Sequence, residues 1–220
     1  TSEVLGEVAK FLNDPIVILS IKTQNEHRSG VTPDEIQALD EEWAHELGSS
    51  GEQPLIAATV GHPLSTFLLR KKASSVGLYT EVFVMDEHGL NVGLSGLPPD
   101  YWQGDEPKVQ NTFPRGAGAL FIDEPVYHEG TDTWRAQVSL TLDDEGTPVG
   151  SGTVEVNLTE LARRAAGPDV LVAGVGTGGD TRAKHVEDVG ATRRTGRWAF
   201  SGDQRPEAGG VACIDGEESP

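Results

Sequence analysis

Residues 100–106 read Asp-Tyr-Trp-Gln-Gly-Asp-Glu, placing two aromatic rings, one amide and three carboxylates in seven positions. Such a set suits recognition of a small molecule. Tyr101 and Trp102 offer π faces to an apolar or cationic group. Gln103 both donates and accepts hydrogen bonds, and Asp105 and Glu106 favour an ammonium. The same residues also fit a structural role, in which Asp100 caps a helix, Gly104 supplies a turn and the aromatics fill the core. In that case the two acids serve a helix N-terminus. A catalytic alternative uses Asp105 and Glu106 as an acid–base pair whose pKa values split. Side chains adjacent in sequence usually point apart, which works against it.

Other chemistry-bearing patterns are weaker. His88, in the Asp-Glu-His-Gly turn of residues 86–89, could be a ligand, but the turn is sufficient reason for the sequence there. Gly174, Gly176 and Gly179 fit G-x-G-x-x-G, yet the chain beyond is too short and polar for the parallel strands and the acid about 20 residues on that a dinucleotide fold needs. The six histidines show no metal-ligand spacing, and no G-x-S-x-G occurs. Asn157 opens a glycosylation triplet of the kind common by chance. No cofactor is expected.

The elements that must position these residues fall into two textures. Residues 4–26 carry Leu5, Val8, Phe11, Leu12, Ile16 and Leu19 near a helical period, with Pro15 as a kink or a second start. In residues 32–47, Thr32 is an N-cap, Pro33 suits the first turn, Glu35 completes a capping box, and Ile36, Leu39, Trp43 and Leu47 form one stripe ended by Gly48. A third helix follows Pro63. From Tyr79 the period changes to that of strands. Residues 78–96 read as a hairpin, and in residues 133–144 Trp134, Ala136, Val138 and Leu140 alternate with Arg135, Gln137 and Ser139. The fold class is therefore α+β, an antiparallel sheet of about five strands preceded by long helices. Tyr79, Trp134 and Gln137 join the candidate pocket residues, with Trp134 and Gln137 on opposite faces.

Composition narrows the partners. The formal net charge of the 220 residues is −18, so nucleic acid and anionic membrane surfaces would be repelled. A single cysteine, Cys213, leaves no intrachain disulfide and no cysteine-based zinc site. The longest apolar run, residues 15–21, falls short of the roughly 20 residues of a membrane span. With no signal-peptide pattern, the chain reads as a mature or trimmed protein. Residues 163–220 are rich in Gly, Ala, Arg and Asp without sustained periodicity. They are expected to form a disordered tail, and their bias is similar to GC-rich DNA read in a wrong frame.

The hairpin and the 100–106 segment together, VFVMDEHGLNVGLSGLPPDYWQGDEPKVQ, resemble the core of an extracytoplasmic single Cache (PAS-like) sensor domain. Asp86, Gly89 and Val92 fill its hairpin positions, and residues 100–106 fill its second motif without a gap. The run PVYHEGTDTWRAQVSLTLDDEGTPVGSGTVEVNLTEL resembles its closing strands. The resemblance covers residues 1–162. It implies a periplasmic or extracellular domain that binds a small molecule without catalysis, in a membrane-receptor or kinase context, with a homodimer through the N-terminal helices. The Tyr-Arg-Trp signature of amino-acid-binding double-Cache receptors is not found, so that ligand class does not carry over. The expected ligand site comprises Tyr79, Tyr101, Trp102, Gln103, Asp105, Trp134 and Gln137, with Trp102 and Asp105 facing a pocket between sheet and N-terminal helices. Trp102 would stack on the ligand, and Asp105 would bind a polar or cationic end.

Overall fold

A computed structural model of the chain describes residues 2–166. Apart from its first residues, the stretch read as a disordered tail, with its glycine motif and Cys213, lies outside the described residues. Five helices come first: α1 (Ser2–Leu12), α2 (Pro15–His27), α3 (Pro33–Leu47), α4 (Pro54–Val60) and α5 (Pro63–Ser74). The strands are β1 (Tyr79–Met85), β2 (Asn91–Leu94), β3 (Leu120–Ile122), β4 (Val126–His128), β5 (Thr133–Asp144) and β6 (Thr147–Asn157). Short α6 (Pro107–Gln110) lies between β2 and β3, and α7 (Leu158–Ala166) follows β6. No described helix is long and apolar enough to cross a membrane.

Pro15 starts a helix rather than kinking one. Asp14 accepts the Ile16 N–H at 3.2 Å and Pro15 takes the first turn, so α1 and α2 are separate. At α3 the capping box of Thr32 and Glu35 is closed in both directions, and Gly48 caps the end. The expected stripe on α3 is only partly buried. Trp43 is fully buried, whereas Leu47 is exposed and Glu46 is buried in its place. Glu46 accepts the N–H groups of Leu55 and Ile56 at 3.0 and 2.8 Å, capping α4, whose own preceding residue provides no side-chain cap.

The sheet is fully antiparallel in the order β2-β1-β6-β5, with β3 and β4 both on the outer side of β5. This α+β arrangement is PAS-like. It has six strands because residues 120–128 form two short ones, β3 and β4. Pro125, with no N–H to give the ladder, stands between them. Glu145 and Gly146, both at positive φ, make the two-residue turn joining β5 to β6.

The two faces of the sheet differ. One, here the proximal face, packs Val82, Val84, Val138, Leu142, Val154 and Val156 against Val8, Leu12, Val17 and Ile21 of α1 and α2. Contact there is close. A Cβ at Gly150 or Gly152 would meet Ile21 at 3.0 Å or Leu12 at 3.1 Å, and one at Gly93 would meet Leu64 of α5 at 2.6 Å. The other, distal face has an apolar half around Phe83, Met85 and Leu94, which packs with Trp43, Ile56, Tyr101 and Val109. Its remaining half is polar.

Candidate functional site

The 100–106 segment folds back onto the hairpin. Asp86 organises that hairpin from full burial: its Oδ1 accepts the N–H groups of His88 and Leu90, both at 2.9 Å, and its Oδ2 accepts from Gln24 at 2.7 Å. Gly89 sits at φ +82° in the turn. Asn91 then donates its N–H to the Tyr101 carbonyl at 3.1 Å, and Gln103 donates its own to the Gly89 carbonyl at 2.8 Å. The indole N–H of Trp102 donates to the His88 carbonyl at 2.8 Å. From α3, Asp40 Oδ1 accepts the N–H groups of Tyr101 and Trp102 at 2.7 and 2.8 Å. Sequence reasoning passed over Asp40, because its partners lie about sixty residues away.

Each expected pocket residue therefore has a definite place. Tyr101 is buried, stacks on Trp43 at 5.3 Å between centroids and receives an Arg28 N–H on its hydroxyl at 3.3 Å. Burial raises the Tyr101 phenol pKa. Gln103 is buried, and its amide donates to the Asp100 carbonyl at 2.8 Å. Trp102 is half-buried against the turn, and Asp105 is exposed. Tyr79 packs in the proximal core beside Phe11, where burial and Glu7 push its phenol up to about 12. Trp134 is exposed at the outer edge of the sheet, tilted against Tyr127. The space between sheet and N-terminal helices, where the pocket was expected, is filled by the apolar side chains of the proximal core. The reason is that both layers there carry large aliphatic residues in register.

One cleft lies on the distal face, and of the expected residues it contains Gln137; a larger and more open one, of about 500 Å³, lies between the end of α2 and α3, lined by Arg28, Val31, Glu35, Leu39 and Glu42, and contains none of them. The period-two pattern of β5 puts Arg135 beside Gln137 on that face. The β5–β6 register sets Gln137 opposite Glu155, and the β1–β6 register sets Glu155 opposite Glu81. Over this polar corner run α6, which holds Lys108 and is preceded by Glu106, and the β3–β4 joint, carrying Asp123 and Glu124. Together they enclose about 290 Å³. Next to it, Ser139 and Thr153 share a hydroxyl hydrogen bond at 2.9 Å.

The charges in the corner are strongly coupled. Arg135 Nη1 lies 2.9 Å from Glu155 Oε1, and the Thr80 hydroxyl also donates to that carboxylate. Burial, and then the neighbouring Glu155, hold the Glu81 carboxyl above its ordinary value. Burial lowers the Lys108 ammonium against the opposing pull of Glu106, Glu81, Asp100 and Asp123. That Arg135 and Glu155 share a face was findable from sequence, since strand alternation and the Glu145-Gly146 turn place them as diagonal neighbours to within the register shift after Leu142, Glu155 standing opposite Gln137. Lys108 was not, since nothing local marks a lysine in a four-residue helix as buried.

Chemically, the corner can present cationic and amide donors to a ligand held on a rigid floor of two long strands. Glu106 lines the cleft, whereas Asp105 points to solvent, so the two do not form an acid–base pair around one space. Among the described residues no group of three His, Cys, Asp or Glu side chains could hold a metal ion. His88 lies in the turn, 3.7 Å from Glu87.

No family model matches the chain, and no curated protein matches it. Solved structures similar to it include the extracellular domain described as that of a histidine kinase, with 18% identity over 66% of this chain and 62% of that one, TM-score 0.38. The ligand-binding domain of the Pseudomonas aeruginosa PAO1 amino acid chemoreceptor PctC in complex with GABA is 16% identical over 74% of this chain and 63% of that one, TM-score 0.34. The sensory domain of the Campylobacter jejuni chemoreceptor Tlp3 with isoleucine bound is 14% identical over 75% and 65%, TM-score 0.37. The chain spans less than two thirds of the length of each of these structures.

Proposed function

We propose that this chain is an extracytoplasmic sensor domain that recognises a small molecule in the distal cleft without transforming it. One observation carries the reading. The polar half of the distal sheet face is roofed by α6 and the β3–β4 joint, enclosing a space small enough for a metabolite and floored by Arg135, Gln137 and Glu155. The motif resemblance supports the extracytoplasmic setting and the receptor or kinase context. In this reading residues 100–105 position the roof and do not touch the ligand, whereas Glu106 lines the cleft. Tyr101, Trp102 and Gln103 hold the segment to the hairpin, and α6 leaves it directly. Ligand binding would draw α6 toward the sheet, shifting the domain toward its closed form by its differential affinity for that form.

The test is a thermal-shift screen of amines, amino acids, carboxylates and purines on the full chain, followed by recovery of any stabilising compound. Stabilisation that weakens in Gln137→Leu, with the compound recovered unaltered, is the expected result. A compound that returns chemically changed overturns the non-catalytic reading, and the absence of any stabilising compound removes the binding role.

A further inference from the structure

The two edges of the sheet are finished differently. At one edge β2 is buried along its whole length and flanked by α4 and α5. At the other, β3 and β4 have no further strand beside them among the described residues. Phe121 stands opposite Ser139, and the bonds on either side run from the Asp123 N–H to the Gln137 carbonyl at 2.9 Å and from the Thr141 N–H to the Ala119 carbonyl at 3.0 Å. In an antiparallel ladder, successive residues turn their backbone groups to opposite sides. The N–H and C=O groups of Leu120 and Ile122 therefore point away from β5. The side chains at this edge are open too. The register sets Leu120 opposite Leu140, Ile122 opposite Val138 and Tyr127 opposite Trp134, which puts an apolar strip on the proximal side. Leu120, Ile122, Tyr127 and Trp134 are 47, 51, 43 and 39% exposed. Open edges are usually blunted by lysine, proline or a bulge. Here Pro125 interrupts the edge after β3, but residues 116–134 contain no lysine or arginine and carry four carboxylates, Asp123, Glu124, Glu129 and Asp132.

We propose that β3 is a docking edge for an extended segment of another protein in which apolar and basic residues alternate. The segment pairs with the outward backbone groups of Leu120 and Ile122 and lengthens the sheet by one strand. The period of two then sorts its side chains. Those on the proximal side pack against Leu120 and Ile122. Those on the distal side meet Asp123 and Glu124 at the β3–β4 joint, where Lys or Arg fits. Charge selects the partner. A second copy of this chain, joined edge to edge, would set these carboxylates against their own counterparts with no cation in residues 116–134 to offset them. A basic segment neutralises them instead. Pro125 has no N–H to give, so the new ladder is short and the complex a transient one.

The experiment titrates the full-length chain with a capped peptide of alternating Lys and Val, by calorimetry, and follows hydrogen exchange in the complex. A Lys–Ser peptide of equal charge and a Glu–Val peptide of equal pattern are the contrasts. The expected result is binding of the Lys–Val peptide alone, weakened by added salt, with slowed exchange at the Leu120 and Ile122 amides. Ile122→Lys sets a like charge on the edge and should weaken binding about tenfold or more. Leu120→Thr keeps a strand-forming residue while removing apolar contact, and should weaken it severalfold, so the test does not hang on the folding of Ile122→Lys. Equal binding of the Lys–Ser peptide, or an affinity unchanged in both variants, overturns the proposal, because charge alone is then being read. Absence of binding by the Lys–Val peptide overturns it as well. So does concentration-dependent self-association in sedimentation that Ile122→Lys abolishes, which makes the occupant a second copy. None of these outcomes depends on the ligand screen, so the sensor reading stands or falls separately.

Discussion

Gly89 and Gly104 are in backbone contact: a Cβ on Gly89 would lie 2.6 Å from the Gly104 Cα. This contact sets the 100–106 segment against the hairpin and aims the chain into α6. Gly89 also holds φ +82°, where a side chain is strained regardless of space. Gly89→Ala should therefore destabilise the fold by about 2 kcal/mol or more, the strain adding to the clash. Urea unfolding measures it, and a loss below about 0.5 kcal/mol would show that the contact is not needed, since that is the range of featureless surface changes.

Gly104→Ala has a different signature. Its Cβ would meet the Trp102 indole nitrogen at 2.4 Å, so the ring must leave the His88 carbonyl. Trp102 emission should shift and become more accessible to acrylamide. An unchanged spectrum would place the ring elsewhere in solution.

Glu46→Ala should cost about 1–3 kcal/mol, because it leaves the Leu55 and Ile56 N–H groups without their buried charged acceptor. Hydrogen exchange should show the loss concentrated in α4. Uniform protection across α4 in the variant would contradict the capping role.

The pH dependence of Glu81 has a definite sign. Its folded-state pKa is raised by burial and by Glu155, so its contribution to stability is full below the ordinary carboxylate range. That contribution is lost as pH rises through the raised value. Glu81→Gln should raise the melting temperature at neutral pH, with the advantage shrinking toward pH 4, where both side chains are neutral. An advantage that is constant across that window would mean that the carboxylate is not the cause.

Gly150→Ala should destabilise more than Gly93→Ala. The new methyl at residue 150 would meet the Met85 carbonyl at 2.2 Å, within the sheet backbone, whereas at residue 93 it meets only the Leu64 side chain. Overpacking against a side chain costs about 1–3 kcal/mol, and a strand displacement costs more. The reverse order in chemical denaturation would contradict the close seating of β6 on β1.

Local chemistry was legible in the sequence and long-range chemistry was not. The capping box of Thr32 and Glu35, the turn at Gly89 and the alternation of β5 each depend on neighbours a few residues apart, and each is found where it was read, while Pro15, open between a kink and a start, proves a start. The break at Pro125 was readable in principle, since a proline cannot serve a continuous ladder. Glu46 could not be placed, because the helix it caps begins eight residues later without a cap of its own. Trp102 was read as a stacking surface because its type suits one. Its partner, a backbone carbonyl fourteen residues earlier, has no sequence signature. The cleft itself is made from β5, β6, α6 and the β3–β4 joint, so it exists only once register and crossover are fixed.

The bare backbone at Gly93, Gly150 and Gly152 carries a consequence for how this domain tolerates change. At these places Leu64, Ile21 and Leu12 rest on the sheet as pegs in sockets, and a socket is defined by atoms that are not there. A methyl filling the socket at Gly93 or Gly152 meets leucine side chains that can shift, whereas at Gly150 it meets the Met85 carbonyl, which cannot. Variation at the helix–sheet junction should therefore be lopsided, broad among the aliphatic pegs, narrower at Gly93 and Gly152 and nearly closed at Gly150. Saturation mutagenesis scored by folded yield would show that asymmetry directly.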